Sequence, residues 1–504
     1  VSVRSVRAAV IGVLSAALLV VGVLPAQAGE SRPGNGRGAQ GEEVTYKVIP
    51  YVISDPDLVN SPKKIIDELN RTGGSLDALG VSPATSDGPS RIDKGPTASG
   101  GDARGSAQVA AEPESYVVDS SRFPNGQIPS DIYQYVTADE CEAQWEAASR
   151  DQGWIKNRYS YCQIHMLAMP AVECRIFPRP SCRTAGVFLS RNRLMGFGKN
   201  GGAEHVSTSR WADFHLNVDV IQATGPFARS GAELSAEIEC EGNYLDEDYP
   251  QTDANACFGG LNKETEKSIK DWRKDGFAHL DLLSQASTPA EHMGEQIGTG
   301  VFHIEYEFDL PWYFQFLDTE SPEGGMRFDS AWYLQSHKLG SVFDRAVPGM
   351  SYTLSDPAVG GVAQHIEDAR TNPGATLPAQ SGKYLAGASP GDPIHRLAQA
   401  KGPDQNHRYT ENRRIVRNFC RTRAMQDLRD SLPAAGGPYD CDEYAFASTY
   451  EGAARYLFDG AQYQRHYSAR WVNSDVNQEA GRRLGRWYDV DRILDREDFF
   501  IPIR

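Results

Sequence analysis

The sequence predicts a multidomain, disulfide-bonded protein: a β-rich N-terminal domain, best built as an antiparallel sandwich, followed by a small α+β domain. Three observations point there. Period-two alternation recurs between 115 and 355, as in Phe214-His215-Leu216-Asn217-Val218-Asp219-Val220 and Phe302-His303-Ile304-Glu305-Tyr306-Glu307-Phe308, the mark of strands with one buried face. Helical spacing takes over beyond a stretch rich in Gly and Pro at 356–392. The chain has 504 residues and an even 8 Cys, room for two or three domains with disulfide staples.

In chain order, residues 1–28 read as a secretory signal peptide. Arg4 and Arg7 precede an apolar run from Ala8 to about Leu24, and Ala26-Gln27-Ala28 is a small-residue cleavage site. No later run is apolar for long enough to span a bilayer, so the expectation is a secreted, extracellular protein without stable membrane association. Residues 29–114 read as a flexible leader or pro-segment, because Ser82 to Glu114 is dominated by Gly, Ser, Ala, Pro and Asp. One strand is expected there, over Val44 to Val52. Within 115–355 looser alternation marks Leu234 to Cys240 and Met350 to Leu354. Helices are expected over Ala138 to Ser149, capped by Thr137 or Asp139, and over Thr265 to Lys274. Pro373-Gly374-Ala375 and Ala388-Ser389-Pro390-Gly391 punctuate 356–392 as a linker. The last domain is 393–504.

Disulfides are the default state of cysteines in an exported chain. Spacing does not determine connectivity, but the simplest pairing is local: 141–162, 174–182, 240–257 and 420–441. No C-x₂-C pair exists to suggest zinc. Three other patterns read as structural. Gly196-Phe197-Gly198-Lys199-Asn200-Gly201 spells G-x-G-x-x-G but lacks a following helical pattern, so a turn is expected. Asp246-Glu247-Asp248 with Asp253 lacks the glycine and terminal Glu of a calcium loop. His215 and His303 sit within alternating strands.

The net charge of −16 opposes non-specific attraction to nucleic acid. From Asp392 to Arg504, however, 18 Lys and Arg stand against 17 Asp and Glu. Seven arginines fall between Arg408 and Arg429, opposed by Glu411 and Asp427. Arg413, Arg417 and Arg421 are four apart and share a helix face, while Ile415, Phe419 and the Met425/Leu428 pair suit an apolar one. Guanidinium groups bind phosphate oxygens in bidentate fashion, so the Arg face is a candidate phosphate site. Next comes Asp440-Cys441-Asp442-Glu443-Tyr444, then Glu451-Gly452. Carboxylates of this density suit a hard divalent cation, and phosphodiester hydrolysis uses such a cation together with a base that orients water. Ser474 or Asp475 is expected to cap a helix running towards Trp487, with Asn477 in its first turn.

Cys441-Asp442-Glu443-Tyr444-Ala445-Phe446-Ala447-Ser448-Thr449-Tyr450-Glu451-Gly452 resembles the motif of the NucA/NucB family of secreted bacterial deoxyribonucleases. That motif runs Cys-Asp-Glu-Tyr/Trp-Pro, a short apolar run, then Glu-Gly-Gly. Asp475 to Gly481 is similar to the family's Asn-containing segment, Asn412-Arg413-Arg414 to Cys420 to its basic stretch, and Arg492 to Ile503 to its closing strand. The resemblance covers 393–504. It implies a small α+β nuclease domain with non-specific DNA endonuclease activity, needing one divalent ion, Mg²⁺ or Mn²⁺. It places the catalytic carboxylates on Asp442, Glu443 and Glu451, with Asp442 as base or water-orienting group. Asp442, Glu443 and Asn477 become the metal-binding candidates. Arg413, Arg417 and Arg421 are the phosphate-binding candidates, and a Cys420–Cys441 bridge would tie the Arg segment to the catalytic turn. Ala445 and Ala453 depart from the family's Pro and second Gly. The alternatives are an exported toxin with a nuclease effector domain, whose producer would carry an inhibitor or immunity protein, and a secreted nucleic-acid-binding protein whose nuclease-like end is inactive.

Overall fold

The computed structural model describes residues 44–84, 113–128, 133–175, 181–201, 209–245, 255–285, 295–311, 317–335, 338–398 and 407–504. The expected signal peptide, the Ser/Gly-rich part of the leader and the acidic cluster at 246–253 lie outside them. The main strands of the first two thirds are β1 (Val44–Val48), β2 (Ser160–Arg175), β3 (Ser181–Phe197), β4 (Ser209–Ala223), β5 (Glu233–Glu241), β6 (Phe277–Gln285), β7 (Glu295–Asp309), β8 (Gly324–Ala331) and β9 (Leu339–Phe343). One antiparallel sheet has the order β1-β2-β3-β4-β6, and a second runs β5-β7-β8-β9. The two face each other across one core. Phe214, Leu216 and Val218 of β4 meet Phe302, Ile304, Tyr306 and Phe308 of β7 there, so the alternating residues point as the sequence predicts. His215 and His303 lie on the outward positions of these strands, only partly buried.

Each disulfide joins sequence neighbours: Cys141–Cys162, Cys174–Cys182, Cys240–Cys257 and Cys420–Cys441. Such cysteine usage is typical of exported proteins. Among the described residues no helix is long and apolar enough to cross a membrane.

Several expectations are corrected. Residues 44–84 are not loose: β1 and Tyr51–Ile53 pair with β2, and helix α1 (Pro62–Thr72) buries Ile65 and Leu69 against the sheet's outer face. That cover explains why β2 is buried on both faces, unlike the alternating strands. The helix expected over Thr265–Lys274 is a strand, Glu264–Ser268, paired with β5; only Ile269–Lys274 is helical, capped by Ser268. The helix expected over Ala138–Ser149 is two short ones, and Thr137 caps the first through a capping box with Glu140. Val347–Ser351 joins neither of these sheets and pairs parallel with Ser115–Asp119. The G-x-G-x-x-G segment ends β3; an added Cβ would lie 2.5 Å from Phe343 at Gly196 and 2.6 Å from the Ser341 carbonyl at Gly198. Close packing, with no ligand involved, accounts for both glycines.

The stretch 356–392 is not a linker. It holds helix α2 (Gly360–Thr371), whose Val362, Ala363, Ile366 and Ala369 are buried in the C-terminal core. That core also takes Phe123, Met350 and Tyr352 from the N-terminal side, packed with Tyr444, Leu484 and Trp487. Phe500 and Ile503 bridge to Gly349 and Tyr352. The two parts therefore share a core across the expected boundary.

Buried charges cross the same junction. Glu497 pairs with Arg158 and, at 2.6 Å, with Arg327. Arg492 Nε donates to Asp329 at 2.9 Å, and both side chains are fully buried. Tyr116 donates to Asp491 at 2.8 Å and accepts from Arg158 at 3.1 Å. Removing one member strands its partner in a dry interior, typically at about 3–5 kcal/mol. Arg492→Ala is accordingly expected to lower unfolding free energy by that order in urea titrations, whereas the exposed Arg423→Ala stays within about 0.5 kcal/mol. Residues 393–504 expressed alone lack α2 and these partners, and are expected to show no cooperative thermal transition by circular dichroism.

Candidate active site

Four elements of the C-terminal part build the site. They are helix α3 (His407–Cys420), strand β10 (Tyr439–Tyr444), strand β11 (Ser468–Asn473) and helix α4 (Ser474–Val490). β10 and β11 form a two-stranded antiparallel sheet in which Asp442 faces Arg470 and Glu443 faces Ala469. The other edge of β10 opens onto a cleft of about 770 Å³ between α3 and α4. Asp442 and Glu443 both line this cleft. Tyr409, Arg413 and Arg417 line it from α3, and Asn477 from α4.

Asp442 is 8% exposed. His365 of α2, fully buried, donates from Nδ1 to Asp442 Oδ2 at 2.6 Å, and its Nε2 shares a hydrogen bond of 2.8 Å with Ser468 Oγ. The carboxylate is thus held from behind by a ring that is itself held. Asn412, also fully buried, donates to the carbonyls of Ala447 and Thr449 and accepts from Ala454 N–H at 2.7 Å, bracing α3 against the motif loop. A Cβ on Gly452 would lie 2.3 Å from the Asn412 amide, so this glycine is required by close approach. Ala453 packs into the cluster of Val416, Met425 and Tyr467 without a positive φ, so its departure from the family's Gly imposes no turn that alanine resists. The Tyr444–Ala445 peptide is cis. The Cys420–Cys441 bridge joins the end of α3 to the residue before Asp442 across 21 positions, and closing such a loop is worth on the order of 3 kcal/mol.

The other expected residues fall differently. Arg413 and Arg417 line the cleft, and among the described residues neither is in an ion pair; Arg413 donates to Tyr409 Oη at 3.1 Å. Arg421 does not join them. α3 ends at Cys420 and a separate helix, Arg423–Asp430, begins after Thr422, so the four-residue spacing no longer sets a common face. Met425 and Leu428 belong to that second helix. Glu451 is also elsewhere: its two oxygens accept from the His395 backbone N–H at 3.0 Å and Nδ1 at 2.7 Å. His395 also pairs with Asp498 at 3.0 Å, and these two carboxylates hold its pKa up at about 10. This trio ties the motif loop to the closing strand. The cap of α4 is Asn473, ahead of the expected Ser474 or Asp475, accepting from Asp475 and Val476 N–H. Asn477 keeps its place in the first turn.

Sequence reasoning missed His365 and Asn412 as site-building residues. It also missed the end wall from the β-rich part, where Trp332, Tyr333 and Lys338 line the cleft beside Arg396. Among the described residues no three His, Cys, Asp or Glu side chains converge as a cage. The oxygen donors Asp442, Glu443 and Asn477 nonetheless fit the chemistry of a Mg²⁺-type ion, which commonly uses one or two protein carboxylates and keeps water and phosphate oxygens for the rest.

Burial, then the adjacent Asp442 carboxylate, pushes the Glu443 carboxyl from 4.5 up to about 7, against the lowering effect of Arg413, the Ala447 N–H and Arg417. A raised folded pKa means that the folded state binds the proton more tightly. This group's stability contribution is therefore greatest below about 4.5 and is lost as pH rises to about 7. At roughly 1.4 kcal/mol per pKa unit the cost at pH 8 is on the order of 3 kcal/mol. In EDTA, Glu443→Gln is expected to melt well above the wild type at pH 8 and level with it near pH 4.5. An equal difference at both pH values would contradict this.

No family model matches the chain, and no curated protein matches it. Among solved structures, the delta-toxin of Clostridium perfringens aligns with 37% of this chain and 95% of its own at 6% identity and a TM-score of 0.08, a likeness that carries no argument.

Proposed function

We propose that the chain is a secreted metal-dependent endonuclease that hydrolyses DNA phosphodiesters in the cleft between α3 and α4. One observation carries the reading: two adjacent carboxylates, Asp442 and Glu443, line one cleft with Asn477 and with Arg413 and Arg417, neither of which is in an ion pair among the described residues. The motif resemblance over 393–504 supports it independently of the geometry. The small α+β nuclease unit and its DNA partner belong to this proposal.

Arg413 and Arg417 take the non-bridging phosphate oxygens; their guanidinium forks suit that geometry and balance its charge. Asp442, tethered through Oδ2 by His365, presents its other oxygen to a water and accepts that water's proton as the water attacks phosphorus. The bond from phosphorus to the leaving oxygen breaks, and that oxygen takes a proton from solvent. Glu443 and Asn477, with Asp442, would hold the divalent ion. When bound, such an ion polarises the phosphoryl oxygen and neutralises developing charge. His365 is a positioning residue: its bond to Ser468 fixes the ring, and the ring fixes the carboxylate. Glu451 acts through His395 on the loop's placement and takes no part in the chemistry.

Asp442→Ala is expected to reduce nicking of supercoiled plasmid by at least about a hundredfold, the usual scale for a lost general base, while the circular dichroism spectrum stays native. Glu451→Gln should lower thermal stability and retain most of the nicking rate. Full nicking by Asp442→Ala would overturn the assignment.

A further inference from the structure

We infer that the cleft continues as a track for a single strand of nucleic acid, passing over the bare face of α4 at Gly481 and Gly485 towards Tyr333 and Arg396. The inference rests on the reading of the cleft as a phosphodiester site and names the form of its substrate.

Glycine inside a helix is costly relative to alanine, so two of them in the interior of α4 call for a reason. Packing supplies none: an added Cβ at Gly481 or Gly485 meets nothing within 4 Å outside the helix's own backbone. Both residues are exposed, both line the cleft, and four-residue spacing places them on one face. Missing side chains on that face leave room for a bulky ligand to lie against the helix backbone.

The wall opposite supplies stacking surfaces and positive charge. Trp332 and Tyr333 stand edge to face with centroids 6.2 Å apart. The Arg396 guanidinium lies 5.1 Å from the Tyr333 centroid and 4.7 Å from that of Tyr488. A second hollow of about 290 Å³ shares Tyr333, Arg396 and Gly485 with the cleft and extends it to Arg482 and Arg486. Those two arginines are shared with Glu479 and Asp489, so they temper the track rather than dominate it. Aromatic rings interleaved with arginines along a groove are how proteins hold unpaired strands, because bases stack only when their faces are open. A duplex keeps those faces covered, so the aromatic wall favours a single strand.

The test uses the full chain in EDTA, so that binding is read without hydrolysis. Fluorescence anisotropy measures a labelled oligo-dT strand and a duplex of the same length. Wild type is expected to bind the single strand more tightly than the duplex. Gly481→Ala/Gly485→Ala is expected to weaken oligo-dT binding roughly tenfold, and Trp332→Ala by a similar factor. The double glycine variant should melt at or above the wild-type temperature, which separates lost clearance from lost folding. Unchanged oligo-dT affinity in both variants, or a wild-type preference for the duplex, would overturn the track. Hydrolysis is judged separately. A wild type that cuts DNA while the variants bind normally removes the track and keeps the nuclease. A wild type that never cuts, with binding lost in the variants, removes the nuclease and keeps the track.

Discussion

The buried ion network of Arg158, Arg327, Arg492, Asp329 and Glu497 is the constraint on which the remaining structure depends. These charges come from both sides of the junction between the β-rich part and the C-terminal part. Each is costly to bury alone, and each is stabilised only when its partner arrives from the other part. Folding of either side by itself would leave arginines or carboxylates unpaired in an apolar interior. The network therefore couples the two parts and fixes where Trp332, Tyr333 and Lys338 stand relative to α4. The end wall of the cleft is a consequence of that coupling.

Within the C-terminal part the same logic is repeated at smaller scale. The proposed base and the elements around it are held by groups that are themselves engaged. Asp442 is held by His365, and His365 by Ser468; α3 is held to the motif loop by Asn412 and to β10 by the Cys420–Cys441 bridge. Glu443 is kept partly protonated near neutrality by burial beside another carboxylate. A carboxyl with a strongly raised pKa in a cleft is a common signature of function. An arriving cation would relieve it.

Much of this was legible in the sequence, and the failures have physical causes. Strict alternation identified β4 and β7, because each has one face in the core and one outside it. The same test was blind to β2, which is covered on both faces and so carries no alternation. His365 was lost because Pro and Gly clusters on its C-terminal side marked 356–392 as a linker. The apolar spacing of Val362, Ala363, Ile366 and Ala369 was nevertheless there to be read, with a histidine on the same face. Reading from the acidic motif grouped Asp442 and Glu443 with Arg413 and Arg417, and all four line one cleft. It misplaced Glu451 and Arg421 for a common reason. Where a side chain goes after a loop or a helix end depends on tertiary partners, His395 for one and the break at Thr422 for the other. The wall at Trp332 and Tyr333 was not foreseeable from local pattern at all, because it is brought to the cleft by contacts distant in sequence, such as Asp495 N–H to Tyr333 Oη across 162 positions.

The most direct measurement is the length distribution of an end-labelled oligonucleotide incubated with the purified, oxidised full-length chain while Mg²⁺ or Mn²⁺ is titrated against EDTA. The expected result is a ladder of shorter fragments that grows with metal and disappears with chelator. An oligonucleotide that stays intact at every metal concentration, with a protein whose melting curve shows it folded, would contradict the account.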